Sequence, residues 1–188
     1  MNHPSPRPTA ATDWHRWLDT APGRYLLAWE QATIDRIVGD LFGFHALQIG
    51  IPELDCLRNN RMPAPVVLVD DDAPPPQRAG LIHVAGRADE LPFAAQSVDL
   101  VVIPHSLEQA EQPHQVLREA VRVLRPEGQL VLTGFNPYSL WGLREAATAL
   151  GARPYLPPHR QLLGCSRVKD WLNLLGLQLH QGCFGGYC

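Results

Sequence analysis

Several polar side chains stand where buried apolar runs of this chain end, which is where a sheet presents ligand-binding groups. Pro104-His105-Ser106 follows the run VDLVVI, and an imidazole beside a hydroxyl there suits substrate contact or proton abstraction. A lone histidine at a strand end is more often a hydrogen-bonded structural residue, so both readings stand. The stretch HALQIGIPELDC, His45 to Cys56, runs from an apolar segment into a turn that opens with Gly50. Nucleotide-type turns carry two or three glycines so that backbone can lie against a cofactor. Here Pro52 removes a backbone donor, and Leu54 sets a side chain where backbone would approach. With Gly50 alone in the pattern, G-x-G-x-x-G dinucleotide binding is disfavoured. Asp70-Asp71-Asp72, closing the run PVVLV, reads as a solvated loop or as a set of hydrogen-bond acceptors. Phe135 to Trp141, FNPYSLW, offers either an acceptor-pocket lid or a turn with Ser139 as a helix cap.

Regular elements must hold these residues in place. Apolar residues from Leu26 to Leu41 recur at three-and-four spacing, so Trp14 to Phe42 is expected to be helical, with Gly43 as its stop. Five strands are expected at His45–Ile51, Pro65–Val69, Leu81–Val84, Val98–Ile103 and Gln129–Thr133, and a sixth at Leu177–Phe184. Their near-continuous apolar runs imply burial on both faces and a parallel sheet. Gln112 to Leu124 is an amphipathic helix with Pro113 in its first turn, ended by Arg125-Pro126-Glu127-Gly128. Ser166 is expected to cap a last helix running to Leu175. The alternation describes an α/β fold, a doubly wound and mostly parallel sheet.

Composition narrows the remaining classes. The chain has 188 residues, 45% hydrophobic and 19% charged, and a formal charge of −3, which suits one soluble domain and gives no basic field for nucleic acid. The proline-rich opening, residues 1–13, is expected to be a disordered tail ahead of a single domain over 14–188. No apolar run approaches the ~20 residues of a membrane span and no signal pattern opens the chain, so the expected location is cytoplasmic. Cys56, Cys165, Cys183 and Cys188 form no C-x-x-C pair and no zinc-ligand spacing with histidine, so no metal site is expected.

The segments ADELPFAAQSVDLVV and LEQAEQPHQVLREAVRVLRPEGQLVLTGFNPYSLWGL resemble class I S-adenosylmethionine-dependent methyltransferases. The chain is most similar to the methyltransferase type 11 group of small-molecule enzymes. Within it, the resemblance extends to uncharacterised bacterial members sharing WEQATIDRIVGDLFGFHALQIG. It implies a Rossmann-like sheet with S-adenosylmethionine across the strands' carboxyl ends. In that frame Gln48 stands where the family has an acid near the cofactor's ammonium, with Gly50 at the cofactor turn. Asp70, with Asp71 as its near alternative, takes the ribose hydroxyls. Ala88 and Asp89 meet the adenine, with Arg87 in place of the usual aspartate. Pro104, His105 and Ser106 line the methyl-donor and acceptor site. Pro74 to Pro76 leave no room for a helix after the second strand, and the chain closes before the family's seventh strand. The implied activity is methyl transfer to a small molecule; the alternative is a non-catalytic binding or regulatory module on the same fold.

Overall fold

The computed structural model describes residues 10–70, 80–157 and 159–185. Five strands, β1 (His45–Ile49), β2 (Ala64–Val69), β3 (Ile82–Ala85), β4 (Val98–Pro104) and β5 (Leu124–Thr133), form one sheet in the order β3-β2-β1-β4-β5. Every neighbouring pair runs parallel. Successive side chains of β4 bury on opposite faces: Leu100 and Val102 join one core cluster, Val101 and Ile103 the other. This two-sided burial is the physical reason for the apolar runs. The order turns back between β1 and β4, so a crevice opens at their carboxyl ends.

Helices cover both faces. Two of them, α1 (Ala10–Leu18) and α2 (Ala21–Gly39), occupy the segment expected to be one helix, and α1 begins inside the stretch read as a tail. The break is local chemistry. Thr20 accepts the Gly23 amide at 3.2 Å, and Pro22 sits in the first turn of α2. Gly23 lets α2 start against α1, because a Cβ there would stand 2.1 Å from the Trp17 carbonyl oxygen. After β4 come the short α3 (Ser106–Gln109) and α4 (Pro113–Val123), then α5 (Leu140–Ala146) and α6 (Cys165–Leu174). Gly164, not Ser166, is the N-cap of α6, and no side chain caps it.

Among the described residues only the β4–β5 connection contains helix; β1–β2 and β3–β4 are joined by turns. The prolines after β2 lie outside the described residues. The segment expected as a sixth strand, Leu177–Phe184, is irregular, with Leu179 and Phe184 half exposed or more. It pairs with no strand of the sheet, and β5, at the sheet's edge, has a described neighbour on one side. β5 also starts earlier than expected, taking in Arg125–Gly128 with a register shift against β4.

One pairing explains two of the sequence segments that carry the family resemblance. Glu119 and Arg122 of α4 clamp Leu91-Pro92-Phe93: Glu119 accepts the Leu91 amide at 2.9 Å. Arg122 donates to the Phe93 and Leu91 carbonyls at 2.8 and 2.9 Å. The acid and base on the helix therefore fix the loop that leads out of β3. No described helix is long and apolar enough to cross a membrane.

Cys56 is buried, whereas Cys165 and Cys183 are exposed. Burial first, and then the charges of Glu30 and Asp55, push the Cys56 thiol well above its usual range. A thiol reagent is expected to modify Cys165 and Cys183 in the folded protein and Cys56 only on unfolding. Native-state labelling of Cys56, read by mass spectrometry, would show that the loop around it opens.

Candidate functional site

A cavity of about 340 Å³ lies at the carboxyl ends of β1 and β2, beside the start of α3. Gly50, Asp70, Ala88, Asp89 and Ser106 all line it, so five of the expected residues from four separate loops meet there. Asp71 lies outside the described residues. Gln48, Pro104 and His105 do not line the cavity.

The turn after β1 is built by Gln48 and Gly50. Gly50 has φ of +76°, and a Cβ there would stand 2.3 Å from Ser106 Oγ, so only glycine fits. Ser106 Oγ lies 2.7 Å from the Ile49 carbonyl and 3.0 Å from that of Pro104, tying the start of α3 to the end of β1. Gln48, expected near the cofactor, instead points under the turn. Its Nε2 donates to the Gly50, Ile51 and Leu54 carbonyls at 3.2, 2.9 and 2.8 Å, and its Oε1 accepts the Cys56 amide at 3.0 Å. An amide serves here because the site needs a donor and an acceptor on one side chain. Leu54 does not crowd the cavity either: it packs into the α2-side core, while Pro52 and Glu53 face the cavity.

His105 is buried between two acids. Its Nδ1 is 2.9 Å from Glu108 Oε2 and its Nε2 is 2.9 Å from Glu30 Oε1. Burial alone would push the imidazole down, but the charge of Glu30 and the bonds to Glu108 and Glu30 outweigh it and hold it at about 10. At neutral pH it is an imidazolium with both N–H groups in use, and has no lone pair with which to take a proton. That geometry corrects its reading as a general base. Its backbone adopts φ of +49°, which turns the chain sharply from β4 into α3. Glu108 also accepts the Phe135 amide at 2.5 Å, and its carbonyl accepts the amides of Arg160 and Gln161. Four chain segments are thus held on one buried triad.

Arg87 grips Asp89 through two bonds of 2.9 and 2.7 Å, and that guanidinium keeps the Asp89 carboxyl below its usual range. Asn136 accepts the Tyr138 amide at 3.0 Å and Ser139 accepts the Gly142 amide at 3.1 Å, so FNPYSLW is a turn and cap. Phe135 sits in an aromatic cluster with Trp14, Trp17 and Trp141. Tyr25 and Trp29 line no part of the cavity. Two residues that do were not anticipated there: Trp14, from α1, and Glu53. Both carry a buried polar atom, Trp14 Nε1 and Glu53 Oε2, without a hydrogen-bond partner among the described residues.

Known proteins resemble the chain in sequence and in fold. The family model for the methyltransferase domain matches residues 57–132. The chain is similar to the uncharacterized protein YafS of Escherichia coli K12, 36% identical over 147 residues, 77% of this chain and 57% of that protein. It is also similar to demethylmenaquinone methyltransferase of Beutenbergia cavernae, 31% identical over 121 residues, 58% of this chain and 50% of the enzyme. The chain thus resembles the methyltransferase family model over a segment that is less than half of its length. It spans about half the length of these two relatives. The fold agrees: an S-adenosylmethionine-dependent methyltransferase from Thermotoga maritima superposes with a TM-score of 0.65 at 17% identity, covering 87% of this chain and 76% of that one.

The resemblance to methyltransferases implies S-adenosylmethionine, and the residues present are compatible with it. The cavity volume is within the range of small-molecule sites. Asp70, directly after β2, lines the cavity together with Ala88 and Asp89 from the loop after β3. The orphaned Trp14 and Glu53 atoms supply a donor and an acceptor that nothing in the described protein satisfies.

Proposed function

We propose that the cleft binds S-adenosylmethionine and that the protein transfers its methyl group to a small-molecule acceptor. The observation that carries this reading is the convergence of Gly50, Asp70, Ala88 and Asp89 on one cavity at the point where strand order reverses. When bound, S-adenosylmethionine supplies an electrophilic methyl on a sulfonium sulfur. The protein's share is to align the acceptor with that methyl and to exclude water. Ser106 is the first of the polar residues after β4 that line the cavity; His105 before it is buried and structural. A relative named as a demethylmenaquinone methyltransferase makes a quinone-like acceptor the first class to try.

Titration with S-adenosylhomocysteine by calorimetry is expected to give micromolar binding, about −8 kcal/mol. Asp70→Ala is expected to weaken it by about tenfold or more, the loss of a hydrogen-bonded charge. Absence of binding at millimolar ligand would overturn the reading. A second reading, a binding module without turnover, is favoured by Pro52, which brings no backbone donor to the cavity wall. It predicts S-adenosylhomocysteine binding with no transfer of labelled methyl to quinols.

A further inference from the structure

Trp14 and Glu53 come from distant parts of the chain, yet both line the same cavity, and each carries a buried side-chain atom with no hydrogen-bond partner among the described residues. One is a donor that cannot accept, the indole N–H; the other is a carboxylate oxygen. Leaving such atoms unpaired is costly, so a cavity lined by both residues suits a ligand that pairs with both. Resting on the cofactor reading above, we propose that Trp14 and Glu53 form the clamp for the amino-acid end of S-adenosylmethionine. The Glu53 carboxylate takes the ammonium and the Trp14 N–H takes the carboxylate.

Three observations support the assignment. Gln48, at the position where the family has its acid, is neutral and fully occupied beneath the turn, so it brings no charge to the cavity. Glu53, five positions later on the same turn, does face the cavity and carries the missing charge. Trp14 is held rigid for its part. Its ring lies 5.0 Å from the His105 ring and 5.8 Å from Trp17, and it is 3% exposed, so its N–H direction is set before any ligand arrives. An adenosine without an amino-acid end would leave both atoms unpaired.

The test compares two ligands on three proteins by calorimetry. S-adenosylhomocysteine carries the amino-acid end and 5′-methylthioadenosine lacks it; the proteins are the wild type, Glu53→Gln and Trp14→Phe. Wild type is expected to bind S-adenosylhomocysteine at least about a hundredfold more tightly than methylthioadenosine, as two charge-assisted bonds would give. Each substitution is expected to weaken S-adenosylhomocysteine about tenfold or more and leave methylthioadenosine unchanged. Equal losses for both ligands, or no loss for either, overturn the clamp while leaving the cofactor reading intact. Absence of wild-type binding to both ligands overturns the clamp together with that reading. Glu53 is part-exposed, so Glu53→Gln gives the answer even where Trp14→Phe loses its fold.

Discussion

His105→Leu is expected to destabilise the fold by about 3–5 kcal/mol, the cost of removing one partner from a buried charge cluster. The substitution leaves Glu30 and Glu108 buried at 4% and 3% exposure, with the imidazolium between them gone. Urea unfolding measures the loss, and Glu30→Gln with Glu108→Gln in the His105→Leu background should recover part of it. The wild type carries a matching pH signature. The His105 value is held at about 10, above its ordinary 6.5, so its contribution is whole below about pH 6.5 and fades as pH rises towards 10. The wild-type midpoint should therefore fall across this alkaline window, and His105→Leu should show a flatter profile. A pH-independent wild-type midpoint between 6.5 and 10 would mean the imidazole is neutral in the fold.

Gln48→Glu is expected to weaken the domain rather than restore a family feature. A carboxylate at that position would face the carbonyls of Gly50, Ile51 and Leu54, three acceptors now served by one amide. An uncompensated buried charge of this kind costs roughly 3–5 kcal/mol. Protonation would restore a donor, so the deficit should grow as pH rises above the ordinary glutamate value of about 4.3. Denaturant midpoints at pH 4.5 and 7.5 measure it. A variant as stable as wild type at pH 7.5 would mean the turn has flipped to present amides to position 48.

These two residues mark where sequence stopped being informative. The strands were legible because β1, β2 and β4 are buried on both faces and must be apolar runs, and the clamp of Glu119 and Arg122 on Leu91 and Phe93 left paired text in the chain. Gly50 and Asp70 stand out in the sequence because each directly follows a strand, whereas Ala88 and Asp89 are named only through the family resemblance; all four line one cavity. His105 was legible as a polar residue at a strand end, but its protonation depends on Glu30, 75 positions away. Gln48 was read as a lost acid because its acceptors are backbone carbonyls, whose directions no residue type announces. Trp14 looked like the start of a helix, and its empty N–H exists only by virtue of what surrounds it. Leu177–Phe184 misled because local apolar content favours a strand only in a suitable tertiary context, and this segment pairs with no strand of the sheet.

The triad of Glu30, His105 and Glu108 also has a bearing on the order of folding. It joins α2 to the β4–α3 turn, and through Glu108 to Phe135 and the segment at Arg160, so it cannot close until segments across most of the chain have met. Loop-closure entropy defers such contacts to the final stages of assembly. Interactions made late leave folding rates little changed and act chiefly on unfolding. The imidazolium is therefore a kinetic latch: losing it should steepen the escape from the native state far more than it slows the return, as a chevron of His105→Leu would display.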